Sequence, residues 1–123
     1  EHLGELNSLL APEGTAIAGT PNRNDLLLEV GGKPYRSFWY RQAHLYYFDE
    51  DSLDFCARRA GFETIDFVYK QRYPFSNFVC WLNEQKPTGK SGTAGVDQVF
   101  DKNWKNELER MGRSDYLYVF LSA

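Results

Sequence analysis

The chain is poor in the residues that would announce a function by themselves. It has only two cysteines, Cys56 and Cys80, so it has neither a disulfide framework nor a Cys-based metal spacing. Cys56 falls on the apolar side of a helical pattern, and both are read as reduced core thiols, which points to a cytoplasmic protein. There are only two histidines, His2 and His44, and no metal-ligand cluster or Ser-His-Asp or Cys-His arrangement can be assembled around them. No apolar run approaches the length of a membrane span. The opening Glu1-His2-Leu3-Gly4 has neither the basic region nor the apolar run of a signal peptide. Cations do not dominate: the net charge is −3, which argues against a broad nucleic-acid footprint. Internal repeats and low-complexity tracts are absent.

What the chain does have is aromatic residues, 16% of the total, many of them between Tyr35 and Phe78. Its 123 residues suffice for one modest domain. The firmest local signal is a helix from Asp49 to Ala60. Asp49 suits an N-cap, Phe48 and Leu53 stand at hydrophobic-staple positions, and Glu50 and Asp51 favour the first turn. Leu53, Cys56, Ala57 and Ala60 form one apolar stripe, Arg58 and Arg59 occupy the last turn, and Gly61-Phe62 stops the helix.

The other elements follow in order. Leu3, Leu6, Leu9 and Leu10 mark a short helix that Ala11-Pro12-Glu13-Gly14 ends. Thr15–Thr20 is expected as a strand of small residues covered on both faces. Asp25 to Val30 reads as a helical turn capped by Asn24 or Asp25, Gly31 to Pro34 as a loop, and Tyr35 to Phe48 as largely irregular. Thr64 to Tyr73 alternates as a strand. Ser76 is expected to cap a helix facing inward through Phe78, Val79 and Leu82, and Lys86 to Gly95 to be a mobile loop. Asp97 is expected to cap a helix whose apolar face is Val96, Val99, Phe100, Trp104, Leu108 and Met111. Tyr116 to Leu121, apolar on both faces, is expected as the central strand, inserted between two parallel neighbours. The chain begins inside a helical pattern without a cap, and is expected to be a piece of a longer protein.

These residues, in this order, resemble the C-terminal half of a class I S-adenosylmethionine-dependent methyltransferase. Glu1-His2-Leu3 is similar to the start of the family's helix after its fourth strand. Leu9-Leu10-Ala11-Pro12-Glu13-Gly14-Thr15 is similar to the turn before its fifth strand, and Thr20-Pro21-Asn22 to the end of that strand. His44-Leu45-Tyr46-Tyr47-Phe48, Ser52-Leu53 and Ala60-Gly61-Phe62 are similar to the segment leading to its sixth. Tyr73-Pro74-Phe75-Ser76-Asn77 with Trp81-Leu82 resembles a sub-group with an inserted helical pair before the last strand.

The resemblance implies an α/β fold: strands 5, 7 and 6 of a Rossmann-like sheet of order 3-2-1-4-5-7-6, strand 7 antiparallel, with flanking helices. Residues 1–123 would be a single partial domain. The glycine-rich loop after strand 1, the acidic residue after strand 2 and the strand-4 residues near the adenine are absent, so most of the S-adenosylmethionine site is missing and the piece alone is expected to be inactive. His2 is the one position matched to the cofactor's surroundings.

The resemblance places His44 in one wall of a substrate pocket, where a neutral imidazole accepts a proton from a substrate hydroxyl; the alternative is a structural histidine bonding backbone. Asn22 and Arg23 follow the carboxyl end of a strand, where open α/β sheets bind ligands, or form a plain turn. Arg36, Trp39, Tyr40 and Arg41 line a pocket for a sugar or aromatic acceptor, or pack a lid onto the core; Tyr46 lies in the same substrate-side segment. The expected partner is a small-molecule acceptor, with no nucleic acid and no membrane, and self-association is possible through the edge of the strand at 15–20. Asp49-Glu50-Asp51 fails as a metal motif, because it is the acidic first turn of a helix and Leu53 stands where an oxygen ligand is needed. Gly89-Lys90-Ser91 fails as a phosphate loop, because Glu84 replaces the first glycine. The alternative to an enzyme half is a non-catalytic interaction module built on the same fold.

Overall fold

The computed structural model describes residues 2–41, 44–89 and 96–123. The element order is α1 (His2–Leu9), β1 (Thr15–Pro21), α2 (Leu26–Val30), α3 (Gly32–Trp39), α4 (Glu50–Arg59), β2 (Thr64–Lys70), α5 (Phe75–Glu84), α6 (Gln98–Arg110) and β3 (Tyr116–Ser122). The fold is mixed α/β. Its three strands form one sheet of order β1-β3-β2, with β3 antiparallel to both neighbours. β1 and β2 are therefore parallel to each other with the last strand between them, as the apolar character of that strand required.

Alternation on β3 explains the layering. Leu117, Val119 and Leu121 are fully buried on one face, packed with Ala16, Leu53, Ala57 and Phe62. Tyr116, Tyr118 and Phe120, on the other face, are half-buried. The Tyr116 ring lies over β1 so closely that a Cβ at Gly19 would meet it at 2.8 Å.

α4 carries the signals read from its sequence. Asp49 Oδ1 accepts from Ser52 N at 2.9 Å while Ser52 Oγ accepts from Asp49 N at 3.1 Å, a reciprocal capping box. At the other end Gly61 has φ +92°, and the amides of Gly61 and Phe62 close back on Arg58 and Ala57 in a Schellman motif. Asp25 caps α2 by accepting from Leu27 N at 3.0 Å, and Asp97 caps α6 through Val99 N and Phe100 N.

Several expectations need correction. β1 is not covered on both faces: Ala16 is buried but Ile17 is 62% exposed, and β1's outer edge pairs with no strand among the described residues. The segment from Gly32 to Trp39 is a helix, not loop and coil. Pro34 is tolerated in its first turn, and Tyr35 and Trp39, four apart, are its buried face. The neighbouring rings of Phe38 and Tyr40 hid that period. β2 stops at Lys70, because the amides of Gln71 and Arg72 leave the ladder for the carboxylates of Glu109 and Asp115.

α5 starts at Phe75 after Pro74 with no side-chain cap of its own; Asp101, from α6, accepts from Phe75 N at 2.7 Å instead of a cap by Ser76. Its buried face is Asn77, Cys80 and Trp81 with Ser76, whereas Leu82 is 45% exposed. On α6 only Leu108 of the expected apolar face is buried; Val99, Phe100 and Met111 are exposed. Cys56 and Cys80 are free thiols, Cys80 buried and Cys56 half-buried. Of the expected loop at 86–95, residues 90–95 lie outside the described residues. No described helix is long and apolar enough to cross a membrane.

The capping box makes a measurable claim. Asp49→Ala is expected to lower stability by about 1 kcal/mol at pH 7, with Asp49→Asn retaining most of it. Urea unfolding of the two variants checks this; an unchanged midpoint for Asp49→Ala would show that α4 does not depend on its cap.

Candidate functional site: a ring-lined pocket at the strand ends

The register brings Pro21 and Lys70 opposite Tyr116, so the carboxyl ends of β1 and β2 meet the amino end of β3 at one edge. Most of the buried polar side chains gather there: Asn22, Asp25, Gln71, Ser114 and Asp115 are each at most 6% exposed. Each has partners. Asn22 Nδ2 donates to the carbonyls of Gly112 and Ser114, and its Oδ1 accepts from Asn24 N. Gln71 Oε1 accepts from Asp115 N, and its Nε2 donates to the Tyr73 carbonyl. Asp115 accepts from Arg72 twice, from the amide at 2.6 Å and from Nε at 2.7 Å. The Arg72 guanidinium also stacks 3.9 Å above the Tyr116 ring.

Above this edge sits a second layer. Tyr35 donates its hydroxyl to Asp25 at 2.5 Å and meets Trp81 edge-on at 5.0 Å. Trp39 packs on Tyr47 at 4.4 Å. The returning chain is fixed by a parallel bridge between Asn22 and Phe48 and by Arg23 N donating to the Phe48 carbonyl at 2.9 Å.

Between the layers lies a cavity of about 300 Å³, lined by Tyr35, Trp39 and Tyr73 with Arg41, His44, Arg72 and Asp115. A shallower cavity of about 460 Å³ opens on the far side of Asn24 and Asp25, lined by Arg23, Tyr69 and Arg113.

The proposed site residues divide between these places. His44 and Trp39 line the smaller cavity together with Arg41. The His44 ring stands edge-on to Tyr47 at 6.0 Å. Arg23 lines the larger cavity, with Nη1 3.9 Å from Asp49. Asn22 lies beneath, fully buried and occupied by backbone. Arg36 donates from Nε to the Leu28 carbonyl at 3.0 Å, tying α3 to α2. Tyr40 is 52% exposed and packs edge-on against Trp39 and Tyr47. Tyr46, 73% exposed, stacks on Phe48. His2 is on the exterior of α1, its side chain 99% exposed and 3.5 Å from Glu5.

Sequence reasoning missed Tyr35, Tyr73, Arg72 and Asp115 as lining groups. Arg72 and Asp115 are 43 residues apart, and only a charged residue abutting an apolar strand hinted at the pair.

Burial dominates the electrostatics. It pushes the Asp25 carboxyl up to about 6, against the bonds from Tyr35 and Leu27. Burial likewise raises the Tyr35 phenol, with the Asp25 charge adding to it. Asp115 is raised by burial, with Arg72 opposing.

These residues do not by themselves compose a site for S-adenosylmethionine. β1 leads into α2 through Asn22-Arg23-Asn24-Asp25 and β2 into α5 through Gln71-Arg72-Tyr73-Pro74, so neither strand-to-helix turn contains a glycine. His2 faces solvent.

The fold and the position of the cavity define a small α/β unit with a ligand-sized pocket at its strand ends. A crystal structure of a SAM-dependent methyltransferase from Archaeoglobus fulgidus shares this fold, with a TM-score of 0.53 and 12% sequence identity over 98% of this chain and 50% of that one. The chain thus spans about half the length of that structure, and at this identity the likeness is one of fold. No family model matches the chain, and no curated protein matches it significantly.

Asp25 generates a pH prediction. Its folded value lies above its unfolded one, so its contribution is complete below about pH 4 and is lost as pH rises through about 6. The stability of wild type minus that of Asp25→Asn is expected to fall by about 2 kcal/mol between pH 4 and pH 7. Urea unfolding across that range checks it, and a constant difference would mean that Asp25 titrates normally.

Proposed function

We propose that this chain is the acceptor-side half of a class I S-adenosylmethionine-dependent methyltransferase acting on a small molecule, most simply at an oxygen. The observation that carries the reading is the fold shared over 98% of this chain with half of a SAM-dependent methyltransferase, combined with a pocket at the strand ends, where open α/β sheets bind ligands. In this reading β1, β3 and β2 are strands 5, 7 and 6 of the larger sheet. The unpaired outer edge of β1 is where the remaining strands add, and pairing of two copies through that edge is the competing arrangement.

The pocket sits at the low end of ligand-site volumes, which suits a small acceptor rather than a macromolecule. Trp39 supplies a ring face, and His44 takes the acceptor's hydroxyl proton. The cofactor is held by residues outside this chain, so the piece alone is inactive. A cytoplasmic location fits the two free thiols. One observation favours a second reading, a non-catalytic interaction module: the chain's own turns form no cofactor cradle.

Isothermal titration of the complete protein carrying this chain with S-adenosylmethionine separates the two. Saturable binding is expected, and its absence overturns the enzyme reading. In an active protein, His44→Ala is expected to lower kcat by about a hundredfold or more while leaving acceptor KM nearly unchanged. An unaltered kcat would return His44 to a structural role.

A further inference from the structure

Two arginines share the small pocket, and both are held by rings. The Arg41 guanidinium lies 4.1 Å above the Phe38 ring, with its Nε donating to the Phe38 carbonyl at 2.8 Å. The Arg72 guanidinium lies 3.9 Å above Tyr116, with its Nε on Asp115. Each is anchored through Nε and by stacking, and among the described residues neither makes a hydrogen bond through its terminal nitrogens. Stacking holds the guanidinium plane and leaves its outer fork available for a planar anion. Asp115 balances one of the two cations, so the lining keeps an excess positive charge.

The lining is equally informative in acceptors. The hydroxyl of Tyr35 is directed to Asp25. Asp115, the one carboxylate of the lining, accepts from Arg72 through both oxygens. A sugar in this space would bring several hydroxyl donors to walls with few acceptors left, and unmet donors are costly when buried. A flat ring would instead find Trp39 and Tyr73.

Resting on the reading of this cavity as the acceptor site, we propose that the acceptor is a planar aromatic acid: its ring packs against Trp39 and Tyr73, its acidic group is bound by Arg41 and Arg72, and a ring hydroxyl faces His44. The class follows from stacked guanidinium groups and ring faces sharing one cavity of about 300 Å³ with few unoccupied acceptors.

The test is binding, without cofactor, by two-dimensional NMR of the full chain. 4-Hydroxybenzoate is titrated against its uncharged isostere 4-hydroxybenzamide and against glucuronate, following the Trp39 indole and the His44 ring. The benzoate is expected to shift both and to bind at least about tenfold tighter than the amide, the effect of one charge-assisted hydrogen-bonded pair. Arg41→Gln is expected to weaken binding of the acid severalfold, narrowing its lead to what Arg72 alone supplies, and to leave the amide unchanged; Arg41 is exposed, so the variant should fold. Equal binding of acid and amide, or shifts confined to other parts of the chain, would overturn the proposal. Glucuronate binding as tightly as the benzoate would overturn the aromatic assignment in favour of a sugar acid. Because the assay contains no S-adenosylmethionine, its failure alongside cofactor binding by the complete protein removes the acid specificity alone.

Discussion

Asn22 ties the sheet to its site. Its side chain is fully buried, yet its amide donates twice and its carbonyl oxygen accepts once. Those bonds join the end of β1 to the Gly112–Ser114 turn before β3, and the Asn22 amide adds a further bond to the Asp115 carbonyl. The ends of β1 and β3 therefore meet at a fixed distance rather than splaying after the last ladder bond. A buried amide is tolerated only when it is satisfied, and here satisfaction and position are the same fact. Gln71 does the corresponding work for β2, joining the ends of β2 and β3 through the Asp115 amide.

Above this polar seam the chemistry becomes aromatic. The rings of Tyr35, Trp39 and Tyr47 roof the strand ends, and the seam supplies the charge beneath them. Arg72 belongs to both layers: its backbone and Nε complete the bonding of Asp115, while its guanidinium forms part of the pocket wall. Removing it would leave a buried carboxylate unpaired, a larger penalty than the loss of any ligand contact. Arg41, exposed and anchored to α3, has no such duty. The two cations of one cavity thus differ in kind, one structural as well as facing the ligand space and the other available for tuning.

Where one element's own residues decide its form, the sequence was readable. Asp49, Gly61 and the stripe between them placed α4, and the doubly apolar run from Tyr116 placed β3 at the centre. Where a distant residue decides, it was not. α5 begins at Phe75 because Asp101, on another helix, accepts its amide. β2 ends where Glu109 and Asp115 draw its backbone away. The pocket shows the same division: His44, Trp39 and Arg41 were visible within one aromatic stretch, whereas Arg72 and Asp115 meet only because two strand ends do. α3 was hidden for another reason. Tyr35 and Trp39 sit at helical spacing, but Phe38 and Tyr40 beside them blurred the contrast on which periodicity depends.

The central strand is also the last one in sequence. Thr15 pairs with Ser122, and no pairing joins β1 directly to β2. Among the described residues, residues 116–122 are the one strand partner that either earlier strand has. On the ribosome, the joining of β1 and β2 into one sheet therefore waits for β3, while capped α4 has its own local signals and can form first. The long loop closed by the β1–β3 pairing carries an entropic cost that the shorter β2–β3 closure, from Lys70 to Tyr116, prepays in part. Assembly of this three-stranded unit is consequently a late, cooperative event, completed only when β3 enters between β1 and β2.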